Sequence, residues 1–222
     1  MAVDRRSRWD RLENFRAPPR SDMVDFAAGE PNGALGAALA EFAVHGYHGT
    51  TVRRIAKRAG LSAAGLYHHY QSKQDMLVAV MNRGLDDLTV QLESEVEHVG
   101  TDPVDRLVRI VEVLALFHTQ RTKEAFVAWT EVRSLEPANR GRVVAKRDRI
   151  QRLADAAVED GVASGAFLNE FPRDSSRFIA SMCVSIVQWY KPDGPLSPSE
   201  VAERLVVSAL RLAGYAPDSG AV

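Results

Sequence analysis

Residues 37–77 read AALAEFAVHGYHGTTVRRIAKRAGLSAAGLYHHYQSKQDML and contain the clearest helix signals of the chain. Apolar residues recur there three and four positions apart, which is the spacing of a buried helix face. Gly46 and Gly60 follow the first two apolar segments, where glycine tolerates the left-handed conformation of a C-terminal cap. Thr51 and Ser62 precede the next two segments as hydroxyl N-caps. The stretch therefore predicts three short helices and the start of a fourth.

Helix signals continue to the end of the chain, and no convincing alternating strand is found. The last helix begins with Ser197, Pro198 and Glu200, a combination that is typical of a capping box with proline in the first turn. We therefore predict an all-α fold of about nine helices. Their approximate ranges are 32–45, 51–59, 62–70, 72–99, 102–120, 123–135, 139–164, 173–190 and 198–213.

The composition is that of an ordinary globular protein, with 45% hydrophobic and 26% charged residues in a chain of 222. A net charge of −1 gives no global attraction to nucleic acid or to an anionic membrane. One cysteine, Cys183, excludes an intramolecular disulfide. No apolar run has the length of a membrane span or the pattern of a signal peptide, so a soluble cytoplasmic protein is expected.

Positive charge is concentrated in one part of the chain. No acidic residue lies between Phe42 and Gln74, and four of the six histidines are found there. The same stretch has five basic residues, which are Arg53, Arg54, Lys57, Arg58 and Lys73. A local patch of this kind can bind a phosphate backbone even though the chain as a whole is almost neutral.

The geometry of this patch fits a helix-turn-helix. Ala59-Gly60-Leu61 has the glycine-containing turn of the motif, and Leu66 and Tyr70 face inward one turn apart. Small residues at positions 63–65 would let the following helix approach the floor of a major groove. Periodicity alone leaves two interpretations open, a nucleic-acid reader or a solvated basic surface.

Residues 37–77 resemble the DNA-binding region of TetR-family transcriptional regulators. The matching segments are Phe42–Gly46–Tyr47, Thr50-Thr51-Val52, Ile55-Ala56, Ala59-Gly60-Leu61-Ser62, Leu66-Tyr67-His68-His69-Tyr70 and Ser72-Lys73. The resemblance implies an all-helical homodimer that represses, or less often activates, transcription and leaves its double-stranded DNA operator when a small effector binds. The DNA contacts that it implies are Thr51, Arg54, Ser62, Ala63, Gly65, Tyr67, His68, His69 and Lys73. Tyr70 departs from the commoner phenylalanine at a packing position.

Residues 187–197, VQWYKPDGPLS, resemble the end of the C-terminal domain in the branch that includes repressors of steroid and fatty-acid degradation. Those regulators often respond to acyl-CoA thioesters. Such an anion calls for basic side chains near its phosphates, yet the predicted penultimate helix has no Lys or Arg from Phe178 to Tyr190. Five basic residues before it could bind the anion instead, although a run of charges on a long helix is more often a solvated face: Arg133, Arg140, Arg142, Lys146 and Arg147. An acyl-CoA and another small hydrophobic effector both stay open.

The resemblance places the effector cavity among the middle helices and the dimer interface on the last two. The candidate pocket residues are Phe117, His118, Phe126, Trp129, Arg133, Met182, Cys183 and Trp189. Three regions follow: a flexible N-terminal arm at 1–30, a DNA-binding domain at 31–77, and an effector-binding and dimerisation domain at 78–222. The arm alternates arginine with acidic residues and is interrupted by Pro18 and Pro19.

Other classes of function have less support. No G-x-S-x-G elbow, H-E-x-x-H pair or phosphate-binding glycine loop is present, so an enzyme is not predicted. His45 and His48 with His68 and His69 could suggest a metal site, but His45 and His48 flank a loop rather than one helix face, so a metal site is not predicted. No cofactor is predicted either. The alternative is a helical acyl-binding protein that does not bind DNA, and a mobility-shift experiment would distinguish the two.

Overall fold

The computed structural model describes residues 24–26, 29 and 31–215. This part of the chain is helical, and its only strand-like pairing is an isolated bridge between Phe167 and Tyr215. The α-helices are α1 Gly33–Gly49, α2 Val52–Ala59, α3 Ala63–Tyr67, α4 Lys73–His98, α5 Pro103–Gln120, α6 Thr122–Thr130, α7 Pro137–Ala163, α8 Pro172–Val184, α9 Ile186–Trp189 and α10 Pro198–Ala213. The predicted all-α class is therefore confirmed.

Each predicted helix has a counterpart, with differences at the ends. The first continues to Gly49, but Gly46 breaks it with φ 66°. The third ends at Tyr67, because the chain turns through residues 68–70 and returns Tyr70 to the core. The predicted helix 173–190 is two helices, divided at Ser185, whose hydroxyl donates to the carbonyl of Met182 at 2.7 Å. A 3₁₀ turn, Glu131–Ser134, replaces the end of the predicted helix 123–135.

The hydroxyl caps hold the helix ends as the sequence predicts. Thr51 accepts from the Arg54 N–H, and Ser62 accepts from the Gly65 N–H at 2.9 Å. Ser197 and Glu200 form a complete capping box at the start of α10. These side chains satisfy N–H groups that lack a partner within the helix, so the short N-terminal helices begin at defined residues.

Two apolar cores are joined by α4. The N-terminal core includes Phe42, Ile55 and Leu66, whereas the larger C-terminal core surrounds α5. Leu85 of α4 belongs to the first core, and Leu92 of the same helix to the second. One continuous helix therefore packs into both cores.

Part of the predicted flexible arm is packed on the C-terminal core. Val24 and Phe26 are buried, and the rings of Phe26 and Phe117 meet edge to face at 5.3 Å. The Phe26 N–H donates to Gln120 Oε1 at 2.7 Å, and Arg83 donates to the carbonyl of Gly29 at 2.8 Å. The prediction of a flexible arm therefore does not describe residues 24–26 and 29, which pack against the rest of the protein. The rest of the arm, residues 1–23, 27, 28 and 30, lies outside the described residues.

Candidate functional site

The helix-turn-helix presents α3 to solvent. The Leu61 N–H donates to the carbonyl of Ala56 at 2.9 Å and closes the turn, and Leu66 anchors α3 in the core with no exposed surface. Tyr67, one residue further, is 51% exposed. Of the predicted DNA contacts, Thr51, Arg54, Ser62, Tyr67, His68 and His69 are exposed, whereas Ala63, Gly65 and Lys73 are half-buried.

A buried carboxylate fastens α2 to α1. Glu41 accepts from Arg54 Nε at 2.9 Å and from Arg58 Nε at 2.7 Å, and its own side chain is almost fully buried. The hydrogen bond from Arg58 lowers the pKa of Glu41 against the effect of burial, with Arg54 adding to it. A guanidinium nitrogen of Arg54 also contacts His45 Nε2. Arg54, predicted as a DNA contact, therefore has an internal bonding role as well.

The bonds to Glu41 divide the cations of α2 into two rows. Arg54 and Arg58 are four residues apart and form an inner row bound to α1. Arg53 and Lys57, also four residues apart, form an outer row that is exposed. Within residues 24–26, 29 and 31–215 the outer row has no carboxylate partner. The sequence showed both rows as one basic stretch, and only the position of Glu41 separates them.

Lys73 has internal acceptors that the sequence did not predict. Its ammonium donates to the carbonyl of Tyr47 at 2.7 Å and to that of Thr50 at 2.8 Å. The same nitrogen lies 4.2 Å from the centre of the Tyr47 ring, and burial lowers the pKa of Lys73. Lys73 thus ties the first turn of α4 to the connection between α1 and α2, which places the start of α2.

A cavity of about 170 Å³ lies in the C-terminal domain between α4, α5, α6, α7 and α8. It is mostly apolar, and its polar side chains are His118, Arg147 and Gln151. Three of the predicted pocket residues, Phe117, His118 and Trp129, line it. The full lining is Leu85, Leu88, Leu114, Phe117, His118, Ala125, Ala128, Trp129, Arg147, Ile150, Gln151, Ala154, Ala180 and Val184.

The other predicted pocket residues lie elsewhere. Phe126 and Arg133 lie outside the cavity lining, on α6 and on the 3₁₀ turn that follows it. Met182 packs at the edge of the C-terminal core, and Cys183 is buried within it, where burial raises the pKa of the thiol to about 12. Trp189 lines a separate surface groove with Lys191 and its neighbours. The sequence identifies aromatic and sulfur-containing residues as candidates, but the rotation of each helix about its axis determines which of them line the cavity.

Two polar groups of the cavity have defined states. His118 Nδ1 donates to the carbonyl of Leu114 at 2.7 Å, which leaves Nε2 as an acceptor. Burial lowers the pKa of His118 to about 4, so the ring is neutral at pH 7. Arg147 donates to the carbonyl of Ala128, and burial lowers its pKa as well. The sequence did not indicate Gln151, and it offered Arg147 only as one of five basic residues that it could not rank.

The cavity continues into an outer opening near the protein surface. Trp129, Gln151, Ala180 and Val184 line both spaces. The opening adds Ser181, Ser185 and Gln188, so its polar side chains are uncharged. A ligand could therefore reach the cavity between α6, α7 and the end of α8.

Large apolar side chains are exposed on the last helices. Phe178 on α8 is 61% exposed and Leu212 on α10 is 41% exposed, and Trp189 on α9 is also open to solvent. Beneath them α10 packs chiefly on α5. Exposed apolar surface of this kind commonly marks a protein–protein contact.

The described residues contain no group of three or more His, Cys, Asp and Glu side chains suited to a metal ion. In the same part of the chain no helix combines the length and apolar character that crossing a membrane requires.

Two family descriptions match the chain. "Bacterial regulatory proteins, tetR family" matches residues 34–80, and "Tetracyclin repressor-like, C-terminal domain" matches residues 100–213. The first coincides with the helix-turn-helix and the second with the domain that contains the cavity.

Individual proteins agree with this match. The transcriptional repressor KstR2 of Mycolicibacterium smegmatis is 30% identical over 82% of this chain and 89% of its own. The structure of PfmR, a TetR-family regulator from Thermus thermophilus, is 31% identical with a TM-score of 0.75, over 80% of this chain and 97% of that one. AibR, crystallised with isovaleryl coenzyme A and operator DNA, is 29% identical with a TM-score of 0.73, over 78% and 94%. The chain described here belongs to the TetR family of bacterial transcriptional regulators.

Proposed function

We propose that this protein is a transcriptional repressor that binds a palindromic operator as a homodimer and is released by a small, mainly apolar effector. The observation that carries this proposal is the exposed face formed by α3 and the outer row of α2. Among the described residues the two cations of this face have no carboxylate partner. Beside them lie Tyr67 at the end of α3 and two histidines directly after it, and α3 is held by its N-cap Ser62 and by the buried Leu66. Such a face suits phosphate contacts beside a major-groove reader.

In this proposal the predicted DNA contacts have different tasks. Tyr67, His68 and His69 meet bases or phosphates, and the small residues Ala63 and Gly65 allow α3 to approach the groove. Thr51 and Ser62 lie at helix N-termini, where N–H groups favour phosphate oxygens. The outer row adds two phosphate contacts per protomer. Lys73 acts through the backbone of the α1–α2 connection, which it positions.

The homodimer is proposed on the last helices. Phe178 and Leu212 are exposed in the single chain, and a second copy related by a two-fold axis would cover them. A two-fold dimer also presents two α3 helices to successive major grooves of a palindrome. Its molecular mass in solution, measured by light scattering, tests this part of the proposal.

The effector is proposed to bind in the cavity, and α4 is proposed to carry the change to DNA. Leu85 and Leu88 of α4 line the cavity, while Lys73 at the start of the same helix holds the α1–α2 connection. An effector that favours another position of Phe117 or α4 lowers DNA affinity by linkage. An acyl-CoA is one candidate class, since the related AibR was crystallised with one.

The test is an electrophoretic mobility shift with DNA from the region upstream of the gene, repeated at several salt concentrations. We expect a specific complex whose affinity falls steeply as the salt concentration rises. Lysine and arginine side chains that contact phosphates release condensed counterions from the DNA, and added salt opposes this release. Binding that is equal for unrelated DNA, or absent throughout the genome, would contradict the proposal. Absence together with retained ligand binding would favour the helical acyl-binding alternative.

A further inference from the structure

Arg147 is a cation in the cavity without an anionic partner among the described residues. Its only hydrogen bond there is to the carbonyl of Ala128. The two most deeply buried arginines differ from it. Arg109 contacts Glu95 at 2.6 Å and Glu112 at 3.0 Å, and Arg121 binds Glu124 and lies 3.3 Å from Asp87.

Two cations close to Arg147 on α7 do have carboxylate partners. Lys146 contacts Asp86 at 2.6 Å, and Arg149 contacts Glu93 at 2.5 Å. Arg147 therefore lines an apolar cavity, partly buried and without a carboxylate partner among the described residues, and withdrawing an unpaired charge from water is unfavourable. An anion entering the cavity would supply the missing partner.

The form of the cavity limits what that anion can be. Arginine presents a planar fork of donors that matches a carboxylate, and one bond to Ala128 leaves further N–H groups for a ligand. His118 is neutral, with Nε2 as an acceptor, so the cavity has one positive charge rather than two. A ligand with a single carboxylate meets this arrangement, whereas a dianion would leave one charge unpaired.

Volume limits the apolar body of the ligand. The cavity holds about 170 Å³ and is lined by leucine, isoleucine, phenylalanine and alanine side chains. An engineered apolar cavity of roughly 150 Å³ in another protein binds benzene. A body of about that size, a short branched chain or a single ring, therefore fills the space. A larger body would extend into the outer opening.

We propose that the effector is a small monocarboxylate, with a short branched or single-ring apolar body in the cavity and its carboxylate bound by Arg147. This inference rests on the proposed function, because it names the effector class of the same cavity. It favours a free acid over its coenzyme A thioester. Thioester formation removes the carboxylate charge, and Ser181, Ser185 and Gln188 of the outer opening offer no cation to the coenzyme's diphosphate.

The experiment is calorimetric titration of the full-length protein with matched probes at pH 7. The acids are isovalerate and benzoate, the neutral isosteres are isovaleramide and benzamide, and the thioester is isovaleryl-CoA. We expect at least one acid to bind, and its amide to bind about ten- to a hundredfold more weakly, because a hydrogen bond to a charged group is lost. Equal affinity for acid and amide, tighter binding of isovaleryl-CoA, or no binding of either acid would overturn the proposal.

Variants of α7 provide the controls. Arg147→Met should abolish the preference for the acid without lowering the melting temperature, because an uncompensated charge is replaced by an apolar side chain. Arg147→Lys keeps the positive charge but lacks the planar guanidinium, so it should retain a reduced preference for the acid over its amide. It would replace the methionine variant in this test if that variant did not fold. Arg142→Met, at an exposed position of the same helix, should bind as the unchanged protein does. An acid preference that persists in Arg147→Met would overturn the proposal.

The outcome can be separated from that of the proposed function. A protein that binds the acid through Arg147 but no DNA would contradict the repressor and leave this inference standing. A protein that binds its operator and is not released by any acid tested in calorimetry would support the DNA-binding function and refute the effector class.

Discussion

Arg58 Nε donates to Glu41 Oε1 at 2.7 Å, across the interface between α2 and α1. Glu41 is buried, whereas half of the Arg58 side chain is exposed. Glu41 thus holds the inner row of cations, and the outer row is exposed to solvent. A single buried acid orients the basic helix, and this arrangement leads to the first two predictions.

Glu41→Gln should lower the free energy of unfolding by about 1–3 kcal/mol, less than for a fully buried pair because both arginines are half exposed. Chemical denaturation checks this value. Glu203→Gln, at an exposed position of α10, is the control and should have little effect. Equal stability of the two variants would show that Glu41 does not hold α2.

The double variant Arg53→Ala/Lys57→Ala should weaken operator binding and reduce its dependence on salt. Two phosphate contacts are removed from each protomer, so the slope of log K against log salt should fall by up to about 3–4 in a dimer. Mobility shifts at several salt concentrations measure it. The control Arg142→Ala/Arg152→Ala removes the same charge from exposed positions of α7. An identical change in both variants would indicate only a general charge effect.

Lys73→Met tests whether this residue positions the α1–α2 connection or binds phosphate directly. Because its ammonium donates to the carbonyls of Tyr47 and Thr50, we expect a loss of stability of about 1–2 kcal/mol. Operator affinity should fall while the salt slope stays nearly unchanged. Normal stability with a reduced slope would instead identify Lys73 as a phosphate contact.

Stability should decrease as the pH falls from about 6.5 towards 4, and His118 should account for part of this decrease. Burial lowers the pKa of His118 to about 4 in the folded protein from 6.5 in an open chain. The unfolded chain therefore binds more protons in this range, so protonation favours unfolding. His118→Gln should flatten the profile by on the order of 2–3 kcal/mol, measured by denaturation at each pH. An unchanged profile would mean that His118 is already open to water.

Phe26→Ala should destabilise the C-terminal domain by about 2–4 kcal/mol, slightly less than a typical core phenylalanine because the segment is near the chain terminus. The reason is its burial against Phe117. Phe171→Ala, at a position that is 61% exposed, serves as a matched control. Thermal unfolding compares the two, and equal effects would contradict the docking of residues 24–26.

The helices and the resemblance to TetR regulators could be recognised from residues that are close together in the sequence. Thr51, Ser62 and Ser197 cap the residues that follow them within three positions, and Gly60 ends α2 with φ 69°, so each feature depends on neighbours in the chain. The absence of acidic residues between Phe42 and Gln74 can likewise be recognised without a structure. These properties are short-range, and a sequence displays them directly.

The partners of the long side chains depend on how the helices pack. Glu41 reaches Arg58, Lys73 reaches Tyr47, and Arg147 enters the cavity without a carboxylate among the described residues, because helices distant in sequence pack at particular angles and rotations. Periodicity indicates which face of a helix is buried but not what it meets. For that reason the cavity's charge, and the docking of Phe26 on Phe117, could be found only once the helices were assembled.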